Sequence, residues 1–145
     1  MADHHCPQVR SYNMSRIRST NSKPEKIVRK FLFSKGFRYR KNDKRFIGKP
    51  DIVLPKYKAI IFVHGCFWHM HEGNPCFRMP KTRREYWEPK LKRNYERDIK
   101  NIEKLRAAGW YVIVIWECEL KPKHRDKRLS TLLYEILVQS KNYKD

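Results

Sequence analysis

The chain is 145 residues long and carries 34 lysines and arginines against 15 acids, a net charge of +19, with 40% hydrophobic and 13% aromatic residues. That length suits one domain able to hide about 70% of its unfolded surface, and the apolar content excludes a wholly disordered polyelectrolyte. So lopsided a charge points to a polyanionic partner, since solubility alone needs much less.

No apolar run approaches the roughly 18–20 residues needed to span a bilayer, and the first residues are polar. The expectation is a cytoplasmic, nucleoid-associated protein without a membrane partner. In that reducing setting the four cysteines read as metal ligands or free thiols, not disulfides.

Residues 1–22 are polar and basic, with only Val9, Tyr12, Met14 and Ile17 scattered among them. Fourteen lysines and arginines precede Asp51, against Asp3, Glu25 and Asp43. This predicts a basic arm over 1–22 that orders on nucleic acid, ahead of a single domain over 23–145; a frayed terminus would leave the same pattern.

Ser22-Lys-Pro-Glu25 has the form of a helix start, with Ser as N-cap and Glu at the capping-box position. Ile27, Val28, Phe31 and Leu32 then make one apolar face and Gly36 supplies a stop. A short strand is expected over Phe37 to Arg40. Asp51–Leu54 and Ala59–Val63 are β-branched and apolar, and the four residues between them suit a turn, so an antiparallel pair is predicted. Residues 65–83 are irregular and too long for an idle connection. A second helix is expected from near Pro89, with Leu91, Tyr95, Ile99, Ile102 and Leu105 along it and Gly109 past its end. Trp110–Trp116 is an unbroken apolar run that predicts a central strand packed on both faces. Leu129, Leu132, Leu133, Ile136 and Leu137 mark a last helix. The order α-β-β-β-α-β-α implies an α/β fold, a mixed β-sheet flanked by helices.

The chemistry is concentrated between Pro50 and Cys76. Cys66, His71 and Cys76, with Cys118 just after the strong strand, supply four soft or borderline ligands. Zinc takes such ligands tetrahedrally, and a closed set of four is structural because no position remains for substrate. Buried free thiols are the alternative, most simply for Cys118. Asp51 opens one strand and His64 ends its neighbour, the placement by which nucleases hold a divalent cation against a phosphate. Magnesium prefers few protein ligands, so Asp51 and a backbone carbonyl suffice. His69 has the right chemistry to take a proton from an attacking water, since imidazole titrates near working pH. Such a base needs a carboxylate on its other ring nitrogen; Asp98 is a candidate, although an Asp on a basic helix is also an ordinary ion-pair partner. Glu25 reads equally as a capping residue. Phe67 and Trp68, two large aromatics between metal ligands in a basic loop, suit stacking on bases, with a core cluster as the alternative.

With those residues in view, the chain resembles the very-short-patch repair (Vsr-type) DNA mismatch endonucleases. The resemblance rests on Asn13-Met14 with Ile17, Glu25, Gly48-Lys-Pro-Asp51, Phe62-Val-His-Gly-Cys-Phe-Trp-His69, Thr82-Arg83 with Glu85-Tyr86-Trp87, Asn94-x-Glu-Arg-Asp98, Gly109-Trp110 and Trp116-Glu117-Cys118. It implies a restriction-endonuclease-like fold with a structural zinc site, and an enzyme that nicks one strand 5′ to the thymine of a T:G mismatch. By the same resemblance Asp51 would ligate Mg2+ together with the main-chain carbonyl of Val63. His69 would be the general base oriented by Asp98, with His64 and Glu25 assisting. Cys66, His71, Cys76 and Cys118 would hold Zn2+. Phe67, Trp68 and Trp87 would enter mismatched double-stranded DNA from one groove, with Met14 and Ile17 approaching from the other. A strand-specific nick needs one active site, so a monomer is expected, with other DNA repair proteins as further partners. The chain departs from the family pattern in a longer stretch between His71 and Cys76, in Met70 at a histidine position, in Val63 where Thr can stand, and in a shorter C-terminal tail. Two alternatives stay open: a non-catalytic zinc-containing DNA-binding module, and a restriction-like nuclease acting on matched DNA.

Overall fold

The computed structural model of the protein describes residues 22–140. Cys6, Met14, Ile17 and all of the expected arm except Ser22 lie outside the described residues.

Helix α1 (Lys23–Ser34) starts where the Ser22 hydroxyl accepts the Glu25 N–H at 3.4 Å, with Pro24 in the first turn. It stops at Gly36, whose φ of +84° is cheap only for glycine. Strands β1 (Arg40–Lys41), β2 (Ile52–Leu54) and β3 (Ala59–His64) follow. The first of these forms later than the Phe37–Arg40 expected, because Phe37 is buried beneath α1 and packs its ring on Tyr57 at 5.4 Å. As expected, β2 and β3 pair antiparallel, Ile52 with Ile61 and Leu54 with Ala59, around a tight helical turn over Pro55–Tyr57.

Helix α2 (Arg84–Ala107) begins five residues before the expected Pro89. Pro89 lies in the second turn, where its missing N–H forgoes only the one intrahelical bond that the carbonyl of exposed Glu85 would accept, a group in reach of water. The turns ahead of it are held by Tyr86 and Trp87, whose rings meet at 5.0 Å. Strand β4 (Tyr111–Trp116) runs parallel to β3, from Ala59 beside Tyr111 to His64 beside Trp116. Helix α3 (Pro122–Tyr134) continues as a wider π turn over Glu135–Gln139.

The sheet order is β1-β2-β3-β4, so β4 lies at an edge rather than at the centre. Both of its faces are nonetheless covered. Ile113 and Ile115 pack with Val28, Leu32, Leu132 and Ile136 of α1 and α3, while Val112 packs with Phe62 and with Leu105 of α2. The open edge is closed by side chains: Arg106 donates to the Val112 carbonyl at 3.3 Å and Arg128 to the Val114 carbonyl at 3.4 Å. Arg128 is braced by Glu119 and Glu135, and the capped edge is blunted against pairing with another chain. An apolar run reports covered faces, and it is silent about where the hydrogen-bonding edge lies.

The central strand is β3, buried along its whole length. Ile60 and Ile61 are each removed from water, a contribution of about 1.5–3 kcal/mol per side chain. This rigid rod carries His64 at its end, on the α2 side of the sheet. Of the apolar positions expected along the helices, Ile99 and Leu137 turn out to be exposed. No helix among the described residues is long and apolar enough to cross a membrane.

Candidate active site and metal centre

The β2–β3 ladder ends at the Ile52–Ile61 pair. Past that point the Val63 N–H donates not to backbone but to the Asp51 carboxylate, Oδ2, at 2.6 Å. The N–H and C=O of one strand residue point the same way, so the Val63 carbonyl faces this gap too. Glu25, reaching in from α1, is buried and paired with Arg29 at 3.2 Å, so it is more than a capping residue. Burial pushes the Asp51 carboxyl up to about 7, against the Val63 hydrogen bond and with the help of the neighbouring Glu25. The half-buried Asp51 carboxyl and the buried Glu25 carboxyl, beside a carbonyl, form a hard-oxygen donor set, which fits magnesium.

Across the same cleft, His69 Nδ1 lies 2.6 Å from Asp98 Oδ2. Spacing alone did not favour this pairing, which joins the 65–71 loop to the middle of α2. With the carboxylate as acceptor, Nδ1 carries the hydrogen and Nε2 keeps its lone pair. The His64 ring is stacked on His69, centroids 3.9 Å apart and planes 6° from parallel. Burial, then the neighbouring His69, drives the His64 imidazole down to about 3, so it stays neutral beside its partner. Ligand atoms of His64, His69 and Asp98 all lie within 4.8 Å of one another.

The sulfurs of Cys66, Cys76 and Cys118 and a ring nitrogen of His71 form a second cluster, again within 4.8 Å. His71 Nδ1 is 3.0 Å from the Cys76 sulfur and 3.5 Å from that of Cys118. A tetrahedral zinc with sulfur ligands has ligand edges of roughly 3.8 Å, so the set has the size and chemistry of a zinc site. Burial, then hydrogen bonding with Cys76, pushes the Cys66 thiol up to about 12, and burial raises Cys118 as well. Crowded sulfurs of this kind give up their protons readily only to a cation. The chain between Cys66 and His71 is wound tight, His71 N–H to Cys66 carbonyl at 2.9 Å and His69 N–H to Gly65 carbonyl at 3.1 Å. The cluster therefore brackets Phe67, Trp68 and His69.

Phe67, Trp68 and Trp87 pack edge to face, with ring separations of 5.2, 5.4 and 5.9 Å. All three are half-buried and belong to neither core cluster. Phe67 and Trp68 line a cleft of about 1200 Å³ together with Asp51, His69 and Asp98. Two further cleft residues carried no assigned role on sequence grounds. The Lys90 ammonium lies over the rings of Trp68, Tyr86 and Trp87 at 5.9, 5.5 and 5.7 Å, and Asn94 donates to the Trp68 carbonyl at 3.4 Å. Helical spacing held the signal for Lys90, three and four residues beyond Trp87 and Tyr86. Lys44, Lys49 and Arg97 add positive charge to the same cleft.

Residues 2–78 match the family model described as DNA mismatch endonuclease Vsr. The chain is 53% identical to the type II nicking enzyme V.NmeAIP of Neisseria meningitidis serogroup A, over 94% of this chain and 97% of that protein. It is 47% identical to the type II nicking enzyme V.XorIIP of Xanthomonas oryzae pv. oryzae, over 83% of this chain and 88% of that protein. Against the DNA mismatch endonuclease Vsr of Escherichia coli the identity is 39%, over 93% of this chain and 87% of that protein.

Proposed function

The chain belongs to the DNA mismatch endonuclease Vsr family and is a DNA endonuclease, and we propose that it nicks one strand of a duplex 5′ to the thymine of a T:G mismatch. The observation that carries this reading is the His69–Asp98 pair, held in the cleft that also contains Asp51, Phe67 and Trp68.

In this reading Asp51 and the Val63 carbonyl hold magnesium, with Glu25 beside them. The bound ion supplies Lewis-acid polarisation of the scissile phosphate and lowers the pKa of a water. His69 Nε2 takes the proton of the attacking water, while Asp98 keeps the opposite nitrogen protonated and steadies the imidazolium that forms. His64 adds no opposing charge because its ring stays neutral. The Cys66, His71, Cys76 and Cys118 set takes zinc, whose part is structural.

Phe67, Trp68 and Trp87 stack into an opened base step. Unstacking costs a few kcal/mol, and aromatic contacts of about 1–3 kcal/mol per base offset it. A wobble pair is cheaper to open than a matched one, so deformability itself selects the mismatch. The basic arm of residues 1–22, with Met14 and Ile17, engages the other groove, and the domain over 23–145 acts as a monomer on nucleoid DNA alongside other repair proteins.

The test is a duplex carrying one T:G pair, each strand labelled separately, incubated with and without magnesium beside a matched control. One magnesium-dependent nick in the thymine strand, and none in the matched duplex, is expected. Equal cutting of matched DNA would instead favour a restriction-like nuclease.

A further inference from the structure

The two clusters described above are joined by a residue that neither contains. Trp116 ends β4 directly beside His64 in the parallel register. Its indole lies flat on the His71 ring, 3.9 Å between centroids and 7° from parallel. It also meets the His64 ring edge to face, at 5.1 Å and 74°. His64 in turn is stacked on His69. The result is an unbroken column of rings from His71 through Trp116 and His64 to His69.

His64 is the weak link in that column. Its Nδ1 is buried without a hydrogen-bond partner among the described residues, so no hydrogen bond at that nitrogen fixes the plane of the ring. Rotation about the second torsion of a histidine is soft and broad. What sets the plane is packing: His69 on one face, with Trp116 and Phe62 as the other ring contacts. The His64 plane then limits how His69 tilts about its bond to Asp98.

We propose that Trp116 is a positioning residue, clamped by His71, that holds the His64–His69 pair in line and so passes the geometry of the cysteine–histidine cluster to the proposed base. The proposal rests on the reading that His69 takes the proton from water. It gives the cluster a second task besides pinning the loop, and it explains why a bulky ring fills the end of an edge strand whose Val112, Ile113 and Ile115 serve the core.

Trp116→Leu removes the ring and keeps an apolar side chain, and Trp116→Phe keeps a ring. Zinc content, DNA affinity, single-turnover nicking rate and the imidazole C–H resonances of the histidines are measured in each. Misplacing a reacting group by about 1 Å costs on the order of a hundredfold, so Trp116→Leu should lose roughly 10–100-fold in kcat with KM and DNA affinity little changed. Its His64 and His69 resonances should lose the shifts that ring stacking imposes, and Trp116→Phe should restore both rate and resonances.

A folded, zinc-loaded Trp116→Leu that nicks at the wild-type rate would overturn the proposal, as would equal losses in the Leu and Phe variants. If Trp116→Leu fails to fold, His71→Cys decides: it keeps four ligands but removes the ring under the indole. A reduced rate with zinc retained supports the proposal, and an unreduced one overturns it. His69→Ala is run beside them. Full activity there would overturn the reading of the site and this proposal together, whereas an inactive His69→Ala with a fully active Trp116→Leu would overturn the proposal alone.

Discussion

Asp98 reaches out from the middle of α2 and accepts a 2.6 Å hydrogen bond from His69, which sits in a loop 29 residues earlier. Replacing it by Asn keeps the size and the contact but presents either an amide N–H or a weaker acceptor to Nδ1. The ring then loses its fixed tautomer and the charge that steadies imidazolium. General-base contributions run to about 10²–10⁴-fold, so Asp98→Asn should lower kcat by roughly a hundredfold or more with T:G duplex affinity retained. Single-turnover nicking beside a binding titration checks it.

Two titrating groups in the cleft oppose one another. His64 falls from 6.5 to about 3 on folding. The unfolded chain therefore holds the extra proton between those values, and stability from this group is lost as pH drops below about 6.5. Asp51 rises from 3.8 to about 7 in the metal-free protein. There the folded state holds the extra proton, and stability from that group is lost as pH rises from about 4 to 7. Magnesium-free wild type should thus show a shallow profile. Asp51→Asn should reveal a rise in stability with pH of at most ~1.4 kcal/mol per unit, and His64→Asn a fall of the same order. Urea unfolding from pH 4 to 7 reads both slopes.

Cys118→Ser removes one member of the four-ligand set while leaving Cys66, His71 and Cys76 in place. Elemental analysis should drop from near one zinc per chain in the wild type to well below that. A loss of about 3 kcal/mol would lower Tm by roughly 6–12 °C for a domain this size. Retained zinc with unchanged Tm would speak against the metal centre.

Trp68→Ala takes one ring out of the Phe67, Trp68 and Trp87 cluster without touching Asp51, His69 or Asp98. With stacking worth about 1–3 kcal/mol per base, the preference for T:G over T:A duplexes should fall by roughly fivefold or more. A nicking panel on both substrates measures it, and unchanged discrimination would remove Trp68 from the wedge.

Much of this site was legible in the sequence because its parts are local. Cys66, His71 and Cys76 declare themselves by type and proximity, and the two apolar runs around Pro55 specify their own antiparallel pairing. What stayed weak or escaped depended on contacts that spacing does not encode. Asp98 stood as a candidate partner for His69 beside an ordinary ion-pair role, and the path of α2 past the 65–71 loop is what brings the two together. Strand β4 looked central because side chains report covered faces, while its edge is closed by Arg106 and Arg128 from helices on either side of it in sequence. Pro89 suggested a helix start, and the aromatic contacts of Tyr86 and Trp87 carry the helix further back. Trp116 read as an ordinary strand residue, since its two histidine neighbours come from 45 and 52 positions away in sequence.

On the proposed mechanism the carboxylate of Asp51, held at the Val63 amide, does chemistry rather than folding. Asp51→Ala should bind the T:G duplex with wild-type affinity and leave both strands intact in magnesium over times in which the wild type nicks to completion. A variant that binds and nicks the thymine strand at the wild-type rate would contradict it.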